Sequence, residues 1–221
     1  MAGIEEVTAA SIDPVTVAEL RNYARIDDTI DATLLGVLIG AATKWCEEYT
    51  SRSFINRTLR LHLDAVSEVD VPLHEGFREG PYHIYMKNYI ELPKAPVSAV
   101  ANVKYFSDSD AESTWPTSNY YVDLQSEPAR IVLRDGGTWP TDLRNANGLQ
   151  VNYTAGYGTS TTDVPEAIRV AIKQYATHMY EHRGEDEGRA LNPPMLVQNL
   201  LQPYKITRYG VSSLEAKYYA S

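Results

Sequence analysis

The sequence has a single cysteine, no apolar run long enough to span a bilayer, and fewer basic than acidic side chains. One cysteine excludes an intrachain disulfide and a multi-cysteine zinc site, and Cys46, beside Trp45 in a helical pattern, is expected to be a buried, inert thiol. The missing apolar run, and acids in the opening MAGIEEVTAA where a signal peptide would carry basic residues, lead to the expectation of a protein made and used in solution, with no membrane partner. With 29 acidic against 20 basic side chains and a formal charge of -9, the balance argues against wrapping a duplex by phosphate neutralisation. An acidic surface can still face DNA that must slide past. There is no glycine-lysine phosphate loop, no Gly-x-Ser-x-Gly elbow and no Gly-x-Gly-x-x-Gly after a strand.

What is present suits a folded globule: 221 residues, 43% of them hydrophobic, enough for one moderately large domain or two small ones. Thr16-Val17-Ala18-Glu19 has capping-box spacing and predicts a short helix to about residue 25. Leu34, Leu38, Ala41, Trp45 and Tyr49 recur at three- and four-residue steps and predict a long amphipathic helix over 29–50. From Arg57 the period drops to two, with Leu59, Leu61 and Leu63 alternating with Arg60 and His62, the pattern of a half-buried strand. Further strand-like runs lie at 89–92, 100–106, 120–124, 130–133 and 149–153, separated by proline and glycine turns. A third helix is predicted from an Asp163 cap to about Arg183, with Ile168, Ala171, Ile172, Tyr175 and Met179 on its apolar face. A short helix follows at 194–201, ended by Pro203.

This order predicts an α+β fold: a discontinuous helical bundle (1–55 and 163–202), an inserted antiparallel β region (56–162) and an extended C-terminal arm (203–221). The arm, YKITRYGVSSLEAKYYAS, has too few spaced apolar residues for a core of its own. Its tyrosines Tyr204, Tyr209, Tyr218 and Tyr219 therefore read as interface candidates, amphipathic rings without an evident home in this subunit.

One stretch carries a catalytic pattern. HMYEH, residues 178–182, matches His-x-x-Glu-His, in which a helix presents two zinc ligands and a glutamate. Such a site also needs a third protein ligand, and 39 residues follow His182, with the late Glu215 in the arm. The plainer reading is a pair of histidines at a helix C-terminus, where imidazole suits the dipole. Gly156-Tyr157-Gly158 lies between a strand and a helix and suggests anion binding, but a turn needing positive φ accounts for it more simply. Asp108 and Asp110 could chelate calcium; they also make an ordinary polar loop. No cofactor or metal is expected, and no catalysis.

Several stretches together resemble one family. Thr16-Val17-Ala18-Glu19-Leu20-Arg21-Asn22-Tyr23-Ala24-Arg25-Ile26-Asp27, followed by Asp31 and Leu34-Leu35, is similar to the opening of the head-to-tail connector (adaptor) proteins of long-tailed bacteriophages and related phage-like particles. The similarity continues through Glu48-Tyr49-Thr50-Ser51-Arg52, Leu92-Pro93-Lys94-Ala95-Pro96-Val97 and Tyr153-Thr154-Ala155-Gly156-Tyr157-Gly158. It closes with Val164-Pro165-Glu166-Ala167-Ile168 and Tyr180-Glu181-His182-Arg183. Val17 and Ala24 stand where larger aliphatics are common, and Pro72 to Asn88 is an extension before the Leu-Pro-x-x-Pro turn.

The resemblance implies a structural subunit in the virion neck, assembled in the host cytoplasm. It implies a ring, expected to be dodecameric, under the portal of a DNA-filled head, with a central channel for double-stranded DNA and a platform for the stopper or tail-completion protein. Trp45, Tyr49, Tyr180, Glu181 and Arg183 would form a lateral or structural helix face. Tyr204, Lys205, Ile206, Thr207, Arg208, Tyr209, Tyr218 and Tyr219 are expected to bind the portal, with 205–209 adding a strand to an exposed edge. Competing readings are another neck protein (stopper or tail terminator), a zinc hydrolase using His178, Glu181 and His182, and a tyrosine-rich carbohydrate-binding module built on the inserted sheet.

Overall fold

The computed structural model describes residues 2–26, 31–64, 89–183 and 193–206. The extension at 72–88 lies outside them, as does the arm beyond Ile206. Helices and antiparallel sheets make an α+β fold of two compact units, Met1–Pro14 with Ser53–Val164, and Val15–Arg52 with Pro165–Ser221.

The first unit is all β. Five strands pair in the order β1 (Ala2–Thr8), β2 (Arg57–Leu63), β8 (Leu149–Ala155), β4 (Val97–Phe106) and β5 (Glu112–Thr114). Three more pair as β3 (Tyr89–Glu91), β7 (Arg130–Leu133) and β6 (Tyr120–Asp123). Every pairing is antiparallel. In β8 each odd residue from Leu149 to Ala155 is buried, and Val151 sits between Leu61 of β2 and Val103 of β4. Alternation therefore places one face of the sheet inward. Both sheets feed one core, with Leu59, Leu61, Val103, Val151 and Tyr153 from the larger and Ile90, Tyr120 and Ile131 from the smaller. Each such aliphatic side chain contributes about 1.5–3 kcal/mol on burial.

Two strands were not predicted. β1 reads poorly because it holds Gly3, Glu5 and Glu6, and the side chains described in it are exposed. What makes it a strand is its partner: Glu5 Oε2 lies 3.2 Å from Arg60 Nη1 and 3.0 Å from His62 Nε2, and Glu6 pairs with Arg57 at 3.7 Å. Residues 1–14 thus belong with the β unit, where the sequence placed them in the helical bundle. Three-residue β5 is too short for any period to register, and the Lys104–Glu112 ion pair ties it to β4.

The recurring motifs of the sequence meet in one corner of this unit. Lys94 takes φ 63°, Ala95-Pro96 is cis, and the turn's carbonyls accept from distant donors. Tyr153 Oη donates to Pro93 O (3.0 Å), Ser53 N–H to Ala95 O (3.0 Å) and Gly156 N–H to Pro96 O (2.8 Å). Gly156 has φ 144°, which accords with a turn needing positive φ. Gly158 is needed for a different reason: a Cβ there would lie 2.1 Å from Asp163 Oδ2. That carboxylate accepts from Ser160 N–H (2.9 Å) and closes a capping box on a 3-10 turn, Thr161–Asp163. Asp163 is therefore not the cap of the following helix, which starts from Pro165.

Asp123 fixes the turn from β6 to β7. It accepts from Ser126 Oγ (2.7 Å), Arg130 Nε (2.8 Å) and the N–H groups of Gln125 and Ser126. The Ser126 hydroxyl, then the Arg130 guanidinium, hold its carboxyl from the ordinary 3.8 down to about 2. Because the folded value is the lower one, this contribution is complete above pH 3.8 and is lost as pH falls toward about 2. Asp123→Asn should therefore lower the urea midpoint at neutral pH and show a shallower further loss between those limits than the parent, read by urea melts across the acid range.

The second unit is helical. In α1 (Val17–Ala24) the capping box is complete: Glu19 N–H donates to Thr16 Oγ1 (3.2 Å) and Thr16 N–H to Glu19 Oε2 (2.8 Å). α2 (Ala32–Thr50), α3 (Glu166–Glu181) and α4 (Met195–Leu201) follow. α3 buries Ile168, Ala171, Ile172 and Tyr175, as the period predicts. In α2 the buried stripe is Leu35, Ile39, Ala42, Cys46 and Thr50, one position round from the predicted one. Apolar residues occur on both sides of α2, so period alone could not choose; packing against α3 does. α4 ends at Leu201, just before Pro203 as predicted, and a 3-10 turn, Gln202–Tyr204, follows it. Among the described residues no helix is long and apolar enough to cross a membrane.

Candidate functional site

The HMYEH stretch forms the last turn of α3 and the residue after it. His178 and His182 face each other with ring centroids 4.3 Å apart, and His182 Nδ1 is 2.9 Å from His178 O. Glu181 is exposed. Among the described residues no three histidines, cysteines or acids are grouped to hold a metal. The ring contact and the backbone contact engage the pair within its own helix turn.

Tyr180 and Arg183 reach instead to the start of α2. Tyr180 Oη donates to Asp31 Oδ2 (2.6 Å), Arg183 Nη1 lies 3.2 Å from the same oxygen, and the Arg183 guanidinium covers the Tyr180 ring at 4.2 Å. The tyrosine hydroxyl, then the arginine, lower the Asp31 carboxyl below its usual range. Asp31 precedes α2 but makes no side-chain cap to it, its carboxylate being used across the bundle. Trp45 and Tyr49, expected on a lateral or structural helix face, are half-buried within the subunit: they stack at 5.0 Å, and Trp45 meets Tyr175 edge-on at 5.3 Å. Cys46 is buried, and burial, then the Glu47 charge, pushes its thiol up to about 12.

The C-terminal end of α2 holds the beginning of the arm. Arg52, 7% exposed, donates from Nε to Tyr204 O, and Ile206 N–H donates to Thr50 O (3.1 Å). Tyr49 Oη donates to Gln202 Oε1 (3.1 Å), and the Lys205 ammonium lies 4.6 Å from the centre of the Tyr49 ring. Helix carbonyls in the last turn lack intrahelical partners, so an incoming amide and an ammonium are both favourable there. Tyr204 is half-buried, and it is its backbone carbonyl that Arg52 holds. Thr207, Arg208, Tyr209, Tyr218 and Tyr219 lie outside the described residues.

Two other sequence candidates resolve into structure. Arg144 Nη1 reaches Asp110 Oδ1 (3.3 Å) with its guanidinium over Phe106, so a protein cation already stands beside that loop carboxylate. The aromatic stack of the β unit, Trp115 with Tyr120 and Trp139 at 4.8 Å each, is buried at 3%, 4% and 9% exposure. These rings form core, which removes them as a platform for sugar. Sequence reasoning missed Asp31 and Arg52 as anchors. Both stood in the recurring stretches, but their partners are about 150 residues away and no local pattern announces them.

In comparison with solved structures, a chain in the neck of an empty GTA particle, computed with C6 symmetry, superposes with a TM-score of 0.72 at 21% identity, covering 95% of this chain and 98% of the other. This chain has the fold of a particle-neck chain. A chain from the neck of the native GTA particle, computed with C12 symmetry, gives 0.70 at 22% identity over 95% and 98%. One from the virion of the native gene transfer agent particle gives 0.70 at 22% over 94% and 97%. No family model matches the sequence, and no curated protein matches it.

Proposed function

We propose that the protein is an adaptor (head-tail connector) subunit of a phage-like particle: a structural protein of the virion neck that forms a ring of twelve under the portal, leaves a central DNA channel and presents a platform to the stopper or tail-completion protein. The observation that carries this reading is the two-way coverage, in which a neck chain is matched almost from end to end. The C12 symmetry of one matched neck supports the ring of twelve. The ordered run of connector-like stretches supports the adaptor over a stopper or tail terminator, because it includes the helical opening and Tyr153-Thr154-Ala155-Gly156-Tyr157.

Joining needs no chemical step. A closed ring needs two different patches that complement each other from one copy to the next. α2 offers an apolar outward stripe for one of them, with Val37 64% exposed beside Leu34 and Ala41. The acidic excess, gathered on the channel wall, would give passing DNA no phosphate-binding sites.

Light scattering of metal-analysed protein, alone and with purified portal rings from the same particle, tests the reading. A metal-free monomer or ring that joins the portal in a larger complex is expected. A persistent monomer that carries one zinc and ignores the portal would overturn it and return His178, Glu181 and His182 to consideration.

A further inference from the structure

We infer that the C-terminal end of α2 is a clamp that fixes residues 202–206, the start of the C-terminal arm, with Arg52 as its positioning residue. This rests on the adaptor reading for its partner, the portal, but not for the clamp itself. Four contacts converge on residues 202–206: Arg52 Nε on Tyr204 O, Ile206 N–H on Thr50 O, the Tyr49 hydroxyl on Gln202, and the Lys205 ammonium over the Tyr49 ring. They come from residues 49–52, the last two of α2 and the bend that ends it. Thr50 is fully buried and Arg52 nearly so, which fixes the anchors before any partner arrives.

The local backbone explains why a carbonyl is available to residue 206 at this place. Ser51 ends α2 in the left-handed region, φ 58°, and its N–H returns to Glu47 O and Glu48 O. Arg52 N–H also returns to Glu47 O (3.1 Å). Thr50 O is left for a donor from elsewhere, and Ile206 supplies it. The next residue, Thr207, is the first of the fifteen that carry Arg208, Tyr209, Tyr218 and Tyr219. Holding residues 202–206 in place fixes where residue 207 begins, so less ordering is left to be done when a partner binds.

The test uses the full chain and two substitutions. Ile206→Pro removes the amide that reaches Thr50, and Lys205, at φ -67° and ψ 124°, already has the extended geometry that precedes proline. Arg52→Lys keeps the charge but loses the planar Nε–H. In the parent, the Ile206 amide is expected to exchange with solvent at least about tenfold more slowly than in Arg52→Lys. Ile206→Pro leaves the Thr50 carbonyl without its donor and is expected to lower the melting temperature, so binding is read well below that transition on protein shown to be folded, where purified portal rings are expected to be bound about tenfold more weakly than by the parent. Parent-like portal affinity in Ile206→Pro would overturn the clamp's role in presenting the arm. Fast Ile206 exchange in the parent, or exchange unchanged by Arg52→Lys, would overturn the clamp itself. Failure of the parent to bind the portal would sink the adaptor reading, leaving the clamp to be judged by exchange alone. Should Arg52→Lys not fold, the comparison becomes Lys205 amide exchange in the parent and in Ile206→Pro, expected faster in the latter.

Discussion

Removing residues 207–221 should weaken capture by portal rings by about 100-fold or more, the equivalent of roughly 2.7 kcal/mol. The size follows from where binding energy concentrates: aromatic and arginine side chains dominate interfaces, and this segment holds Tyr209, Tyr218, Tyr219 and Arg208 in fifteen residues. This cut leaves Ile206 and its bond to Thr50 in place. A cut before Tyr204 should behave differently. It would strip the partners from Arg52 Nε and Thr50 O as well, and a buried group deprived of its hydrogen bond costs on the order of 1–3 kcal/mol. Titrating both truncations against immobilised portal, alongside thermal melts, separates a binding arm from a stabilising one. If the shorter deletion bound like the parent, the assignment of the arm to the portal would be wrong.

The parts of the fold that were legible are those where one residue's type decides its own environment. Strict alternation in β2 and β8, the Thr16–Glu19 capping box and the Ile168–Tyr175 face of α3 all work over fewer than ten residues. The misses are cases where a distant partner decides. β1 is a strand because β2 places Arg57, Arg60 and His62 beside its glutamates, and an acidic, glycine-containing segment cannot declare that alone. α2 had two candidate apolar faces, and α3 selected between them. Asp163 looked like a helix cap on spacing and instead closes the preceding turn, because Pro165 and not Asp163 begins α3. At the candidate site, Tyr180 and Arg183 were visible as a unit, but Asp31, the acid that gives them their purpose, lies about 150 residues earlier. The arm was visible by composition; its anchorage through Arg52 and Thr50 was not.

Gly156→Ala and Gly40→Ala should move stability in opposite directions, although both add one methyl group. At Gly156, φ 144° is a conformation that side chains rarely adopt, and the added carbon would lie 2.4 Å from Asn56 N and 2.6 Å from Asn56 Cα. Both are backbone atoms, and Asn56 N–H is itself engaged with Gly158 O at 2.8 Å, so the neighbour has little room to retreat. Strain of about 1–3 kcal/mol for the backbone, and a similar figure for the overpacking, put the expected loss at roughly 2–5 kcal/mol. At Gly40, in the middle of α2, nothing lies within 4 Å of the added carbon. There the helix gains about 0.5–1 kcal/mol, because alanine loses less backbone entropy on folding. Urea melts of the two variants at neutral pH measure both signs. A Gly156→Ala protein as stable as the parent would mean that the corner where Pro96, Asn56 and Gly156 meet is more open than its hydrogen bonds require.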